Sequence, residues 1–130
     1  MEQRCSFITL GVENLRASTD FYENKFCWNR SEMSDDNIIF FQLEGIQLAL
    51  YDKKALAEDA AVDPAGEGFC RFAFSYLEKS EEAVDQLISK LRKRGVKIVK
   101  EPQKVFWGGY SSYVSDPDGF LWEIVYNPYI

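Results

Sequence analysis

A chain of 130 residues is of the size that makes one compact domain around one main core. Its formal net charge of −6 repels phosphate backbones and anionic lipid head groups, which argues against nucleic-acid and membrane partners. The absence of histidine removes Ser-His-Asp, Cys-His and H-E-x-x-H chemistry together with the commonest catalytic metal ligand.

The first predicted strand is Phe7 to Val12 (FITLGV), a short β-branched and apolar run. Asn14 then stands where a helix N-cap would, and Leu15, Ser18, Phe21, Tyr22 and Phe26 recur at steps of three and four. That spacing predicts a helix over 15–26 with one apolar face. Three strands follow: Trp28 to Met33, Ile38 to Leu43 after the turn Ser34-Asp35-Asp36-Asn37, and Ile46 to Tyr51 after Glu44-Gly45. Residues 1–51 therefore read as one βαβββ module. Residues 52–68 (DKKALAEDAAVDPAGEG) shift to Ala, Asp, Glu, Gly and Pro, which marks a linker, with a helical turn around Ala55 to Asp59.

A second module occupies 69–130. Phe69 to Tyr76 (FCRFAFSY) predicts a strand, and Ser80 caps a helix carrying Glu81 and Glu82 in its first turn. Val84, Leu87, Ile88 and Leu91 draw the apolar stripe of that helix, Gly95 ends it, and the basic cluster Lys90 to Arg94 reads as its solvated C-terminus. Val96 to Lys100, Ser111 to Ser115 and Phe120 to Val125 supply three more strands. The last two are joined by Asp116-Pro117-Asp118-Gly119, a turn sequence. Two copies of one unit, each with a half-buried sheet and an amphipathic helix, predict an α+β duplication with a cup between strands. The aromatic content of 15% suits both the core and a cavity for a flat or apolar ligand.

Four stretches resemble the vicinal-oxygen-chelate superfamily of glyoxalases, bleomycin resistance proteins and extradiol dioxygenases: ITLGVENLRASTDFY, CRFAFS, RGVKIVKEP and YVSDPDGFLWEIV. The resemblance covers nearly the whole chain as a single domain. It implies paired βαβββ modules forming cup-shaped mixed sheets, usually in a homodimer. Strand residues facing the cup would hold a divalent metal or, in the bleomycin-resistance branch, a ligand without metal. The family's ligand positions fall on Phe7, near Leu48, on Arg71 and on Glu123. Only Glu123 is a metal donor, so the resemblance implies a metal-free protein without cofactor, and glyoxalase-type lyase chemistry is disfavoured.

Side-chain alternation places Phe7 with Cys5 and Thr9, and Arg71 with Ala73 and Ser75. A hairpin closing at the DPDG turn sets Val114 opposite Leu121 and Ser112 opposite Glu123, which brings Ser112 to the cup floor. Arg71 is expected to pair with Glu123 and to offer its guanidinium fork to an anionic ligand oxygen. Trp107, in the aromatic segment Val105 to Tyr110, is expected near the ligand or covering the core, with Tyr110 as a polar cup contact. The ligand-binding set is thus Phe7, Leu48, Arg71, Trp107, Tyr110, Ser112 and Glu123.

Three functions fit: a protein binding a small, partly aromatic or apolar molecule; a metal-free lyase-, isomerase- or dioxygenase-like enzyme with Glu123 as catalytic acid or base; and a non-catalytic regulatory or interaction module. Cys5, Cys27 and Cys70 read as reduced, mostly buried thiols. The N-terminal MEQRCSF has no signal-peptide core and no apolar run approaches the ~20 residues that span a bilayer, which predicts a cytoplasmic protein.

Overall fold

A computed structural model describes all 130 residues, which divide into two compact units, Met1–Gly66 and Glu67–Ile130. The first unit comprises β1 (Phe7–Val12), α1 (Leu15–Asn24), β2 (Ile38–Gln42), β3 (Gln47–Asp52) and α2 (Lys53–Asp59). The second comprises β4 (Ala73–Glu78), α3 (Glu81–Lys93), β5 (Lys97–Lys104), β6 (Tyr110–Ser115) and β7 (Leu121–Tyr126). No helix is long and apolar enough to cross a membrane.

In the first unit the strands lie in the order β1-β3-β2, with β1 parallel and β2 antiparallel to β3. Asn14 caps α1 by accepting the Ala17 N–H at 2.9 Å, as the sequence predicts. Leu10, Val12, Ile39, Phe41, Leu48 and Leu50 alternate on one face of the sheet and are all buried. Tyr22 of α1, fully buried, meets Phe41 with ring centroids 5.8 Å apart and Trp28 at 5.5 Å.

The strand expected over Trp28 to Met33 does not form. Trp28 stacks in the aromatic core, and the following residues fold by side-chain bonds to backbone that compete with a ladder. Ser34 Oγ accepts the Phe40 N–H at 2.9 Å, and one Asp35 carboxylate oxygen accepts those of Asn37 and Ile38 at 2.7 and 2.9 Å. These backbone bonds hold the Asp35 carboxyl below its ordinary range. The expected linker, in turn, contains a full helix, α2, because Asp52 caps it through the Ala55 N–H at 2.9 Å. Gly11 lets α2 approach β1 closely, since a Cβ there would lie 3.3 Å from both Leu56 and the Lys53 backbone.

The second unit has the strand order β4-β7-β6-β5, with β4 parallel to β7 and the rest antiparallel. Ser80 caps α3 through the Ala83 N–H at 3.1 Å, and Gly95 takes a φ of 80° just beyond the C-cap Arg94. The buried Val84, Ile88 and Leu91 of α3 pack on the sheet, whose facing side carries Val114, Trp122 and Ile124. Phe74 stacks on Trp122 with centroids 4.4 Å apart on that same face.

The strand expected to open at Phe69 begins instead at Ala73, where pairing with Leu121 starts. Arg71 breaks the extended backbone before it, with a φ of 65°, a left-handed conformation rare for a side chain of this size. The cysteines also differ from expectation: Cys5 and Cys27 are exposed and Cys70 is intermediate.

Candidate functional site

Alternation divides the second sheet into a face under α3 and an opposite face that is open at Ser75, half-buried at Tyr113, Glu123 and Lys100, and closed at Ser111, Ser115 and Val125. Ser75, Glu123, Tyr113 and Lys100 occupy the open face as one transverse row, because Ser75 pairs with Glu123, Glu123 with Tyr113, and Tyr113 with Lys100. The row crosses all four strands. Ser75 Oγ donates to Glu123 Oε2 at 2.9 Å, and Lys100 Nζ sits 6.0 Å from the centroid of the Tyr113 ring. Burial first, then the negative charge of Glu123 and its hydrogen bond with the phenol, push the Tyr113 hydroxyl above its ordinary range. The Tyr113 hydroxyl is thus a hydrogen-bond donor to a carboxylate. Leu121 and Val125 flank Glu123 on the same face of β7 and give it apolar surroundings.

Glu123 is thus placed in a polar group, but its partners are not the expected ones. Arg71 is exposed, lies outside β4, and forms no ion pair with Glu123. The alternation that grouped Arg71 with Ser75 fails because the left-handed turn at Arg71 interrupts the strand geometry on which alternation depends.

Ser112 is also displaced from the expected position. It pairs with Ile124, and Tyr113 takes the place opposite Glu123. The reason lies in the turn. Asp116 N–H donates to the Phe120 carbonyl at 3.1 Å, so the loop has three residues, with Gly119 at a φ of 83°. One additional loop residue shifts the ladder by one and exchanges the faces of every β6 side chain relative to β7. Ser112 is fully buried under α3 and donates to the Lys100 carbonyl at 2.7 Å. Tyr110 shares its face and donates from its hydroxyl to Asp85 of α3 at 2.8 Å, a bond that with burial raises the phenol's pKa. Neither belongs to the open face.

The aromatic connection between β5 and β6 is a tight turn. Gly108 N–H donates to the Val105 carbonyl and Val105 N–H to the Gly109 carbonyl, both at 3.0 Å. Trp107 folds its indole over Gly109, where a Cβ would come within 2.0 Å of the ring, while Phe106 stands fully exposed.

In the first unit, Phe7 lies on the open face of its sheet, half exposed, with its ring edge-on to Phe40 at 5.9 Å. Leu48 faces the other way, fully buried on the side of Leu50 and Phe41, because it pairs with Ile8 and Phe41. Its neighbours Gln47 and Ala49 share the face of Phe7 instead, Gln47 half-buried and Ala49 fully buried. A cleft of about 380 Å³ opens elsewhere in this unit, lined by Arg16, Asp20, Arg30 and Asp36 over Leu15 and Ile39, and none of the expected ligand-binding residues lines it.

The donor set does not suit a divalent ion. The four positions implied by the family resemblance carry a phenyl ring, a buried isobutyl group, an exposed guanidinium and one carboxylate, and no group of three or more His, Cys, Asp or Glu is placed to hold a metal. The residues that sequence reasoning missed are Tyr113, Lys100 and Ser75. The first two depend on ladder register, and Ser75 was visible only as a residue of the right parity.

A family model described as Glyoxalase/Bleomycin resistance protein/Dioxygenase superfamily matches residues 4–124. Among solved structures, a glyoxalase-related enzyme from Fulvimarina pelagi is 34% identical with a TM-score of 0.84, over 98% of this chain and 90% of that one. A glyoxalase/bleomycin resistance protein/dioxygenase from Nocardioides is 24% identical with a TM-score of 0.84, over 97% and 84% of the two chains. A lactoylglutathione lyase from Agrobacterium tumefaciens shares the fold at 20% identity and a TM-score of 0.74, over 98% and 96%.

Proposed function

Since the chain belongs to the Glyoxalase/Bleomycin resistance protein/Dioxygenase superfamily, we propose that it binds a small, partly aromatic molecule on the open face of its second sheet, without a metal ion, and with Glu123 as the polar anchor. The observation that carries this reading is the Glu123 carboxylate, held by the Ser75 hydroxyl between apolar Leu121 and Val125 and paired with no cation. A carboxylate accepts at about four lone-pair sites. The hydroxyls of Ser75 and Tyr113 occupy part of that capacity, and the remainder suits a ligand ammonium, amide or hydroxyl donor. The flat Tyr113 ring beside it offers a stacking surface.

A second reading is metal-free catalysis with Glu123 as the acid-base group. It is favoured by the hydrogen bond between the Tyr113 phenol and that carboxylate, which sets a hydroxyl donor beside a proton acceptor on one face. Both readings use the same face.

A thermal-shift screen of flat amines and phenols against wild type and Glu123→Gln tests the binding reading. Hits should stabilise the wild type, and those carrying a donor should bind the variant about tenfold more weakly, since an amide accepts less strongly than a carboxylate. Hits that bind both proteins equally would contradict it. Treatment with chelator should leave every affinity unchanged, and elemental analysis should find no stoichiometric Zn, Ni, Mn or Fe. Near-equimolar metal lost together with binding would contradict the metal-free assignment.

A further inference from the structure

The edge strand β5 pairs irregularly with β6, and the irregularity falls beside the row just described. Ile98 pairs with Val114, on the face under α3. In a regular strand Lys100, two residues on, would share that face. Instead the register shifts by one residue between them, Lys100 becomes the partner of Tyr113, and its ammonium lies over the Tyr113 ring on the open face. A bulge is a recognised means of re-aiming one side chain without ending the strand.

The bulge is held by a specific bond. Ser112, fully buried and next to Tyr113 on β6, donates its hydroxyl at 2.7 Å to the carbonyl of Lys100, the residue that follows the bulge. Ser112 therefore faces away from the open surface yet fixes the residue that reaches it. Lys100 itself forms no ion pair, so its charge is available to a partner.

We infer that Lys100 is the anion-recognising group of this face and Ser112 its positioning residue. The ligand class is then a flat molecule with an amine or hydroxyl donor at one end and a carboxylate or similar anionic oxygen at the other. The spacing follows from the sheet. Glu123, Tyr113 and Lys100 stand on three consecutive strands, β7, β6 and β5, so the outer two backbones are roughly 10 Å apart at about 4.8 Å per strand. Lys100 leans over Tyr113, its ammonium 6.0 Å from the ring centroid, and the Tyr113 phenol meets Glu123, so the gap between the two charges is shorter than that between the backbones and suits a para-substituted benzene ring beside Tyr113. The inference rests on Glu123 as the anchor proposed above, and it adds the second pole.

Calorimetric titration with 4-(aminomethyl)benzoate and with benzylamine separates the two ideas. Both probes offer an ammonium to Glu123, and only the first offers a carboxylate to Lys100. Wild type should bind the carboxylate-bearing probe about tenfold tighter, the size of one charge-assisted contact. Lys100→Met should erase that advantage, while benzylamine, whose ammonium Lys100 repels, should bind the variant no more weakly than wild type. Ser112→Ala should reduce the advantage in the same selective way, and Ser112→Thr, which keeps the hydroxyl, should restore it. If Ser112→Ala fails to fold, the Lys100→Met and Ser112→Thr results decide. No advantage in the wild type, or an advantage that persists in Lys100→Met, would overturn the role of Lys100 alone. Failure of both probes to bind, or binding unaltered by Glu123→Gln, would overturn the site reading and this inference with it.

Discussion

Truncating Tyr22 to alanine should lower the unfolding free energy by about 3 to 5 kcal/mol, the range for removing a large aromatic from a packed core. Tyr22 is fully buried, and its ring meets those of Phe21, Phe26, Trp28 and Phe41 with centroids 5.2 to 5.8 Å apart. Four neighbours that depend on one ring cannot all close over the void it leaves. The segment after α1 should suffer most, because Trp28 is held by this stack and by its N–H to the Tyr22 carbonyl at 3.1 Å, and not by a strand. Denaturant unfolding measures the loss. A change below about 1 kcal/mol would mean that the cluster collapses onto the space and that the ring is not its keystone.

Asp116→Ala should cost about 2 to 3 kcal/mol and disturb the functional face as well. One oxygen of this buried side chain accepts the N–H groups of Asp118 and Phe120 at 2.9 and 2.8 Å, inside the turn that joins β6 to β7. Hydrogen bonds to a charged group are worth more than neutral ones, about 1.5 to 3 kcal/mol each, and water repays part of the loss at a turn. The same turn sets the register that places Tyr113 opposite Glu123. Asp116→Asn, which keeps the acceptor oxygen, should recover most of the stability. Full wild-type stability in Asp116→Ala would show that the register is fixed by strand packing alone.

Strand β1, both long helices and their caps were legible because each rests on local chemistry: Asn14 and Ser80 as caps, Gly95 beyond α3, and apolar positions at helical spacing. The absent strand over Trp28 to Met33 was not legible, since an apolar run contains nothing that says whether its rings enter a ladder or an aromatic cluster. The site was harder still. Glu123 was found through the family resemblance, but its neighbours depended on register. Asp116-Pro117-Asp118-Gly119 is compatible with a two-residue or a three-residue loop, and the choice decides whether Ser112 or Tyr113 stands beside the carboxylate. The bulge that brings Lys100 into the row precedes a second register shift at Pro102, and that proline, unable to donate to a ladder, is the one mark of irregularity in KIVKEP. Arg71, read as a strand residue, takes a left-handed conformation that no pattern of apolar residues announces.

The proposed binding surface is the open face of the second sheet, anchored by Glu123. The most direct measurement is a chemical-shift map from isotope-labelled protein titrated with benzylamine. The largest changes should fall on Ser75, Tyr113, Glu123 and their strand neighbours, and the same titration of Glu123→Gln should leave those resonances nearly still. Changes of equal size in both proteins, or changes confined to the first unit around the Arg16 and Asp20 cleft, would contradict it.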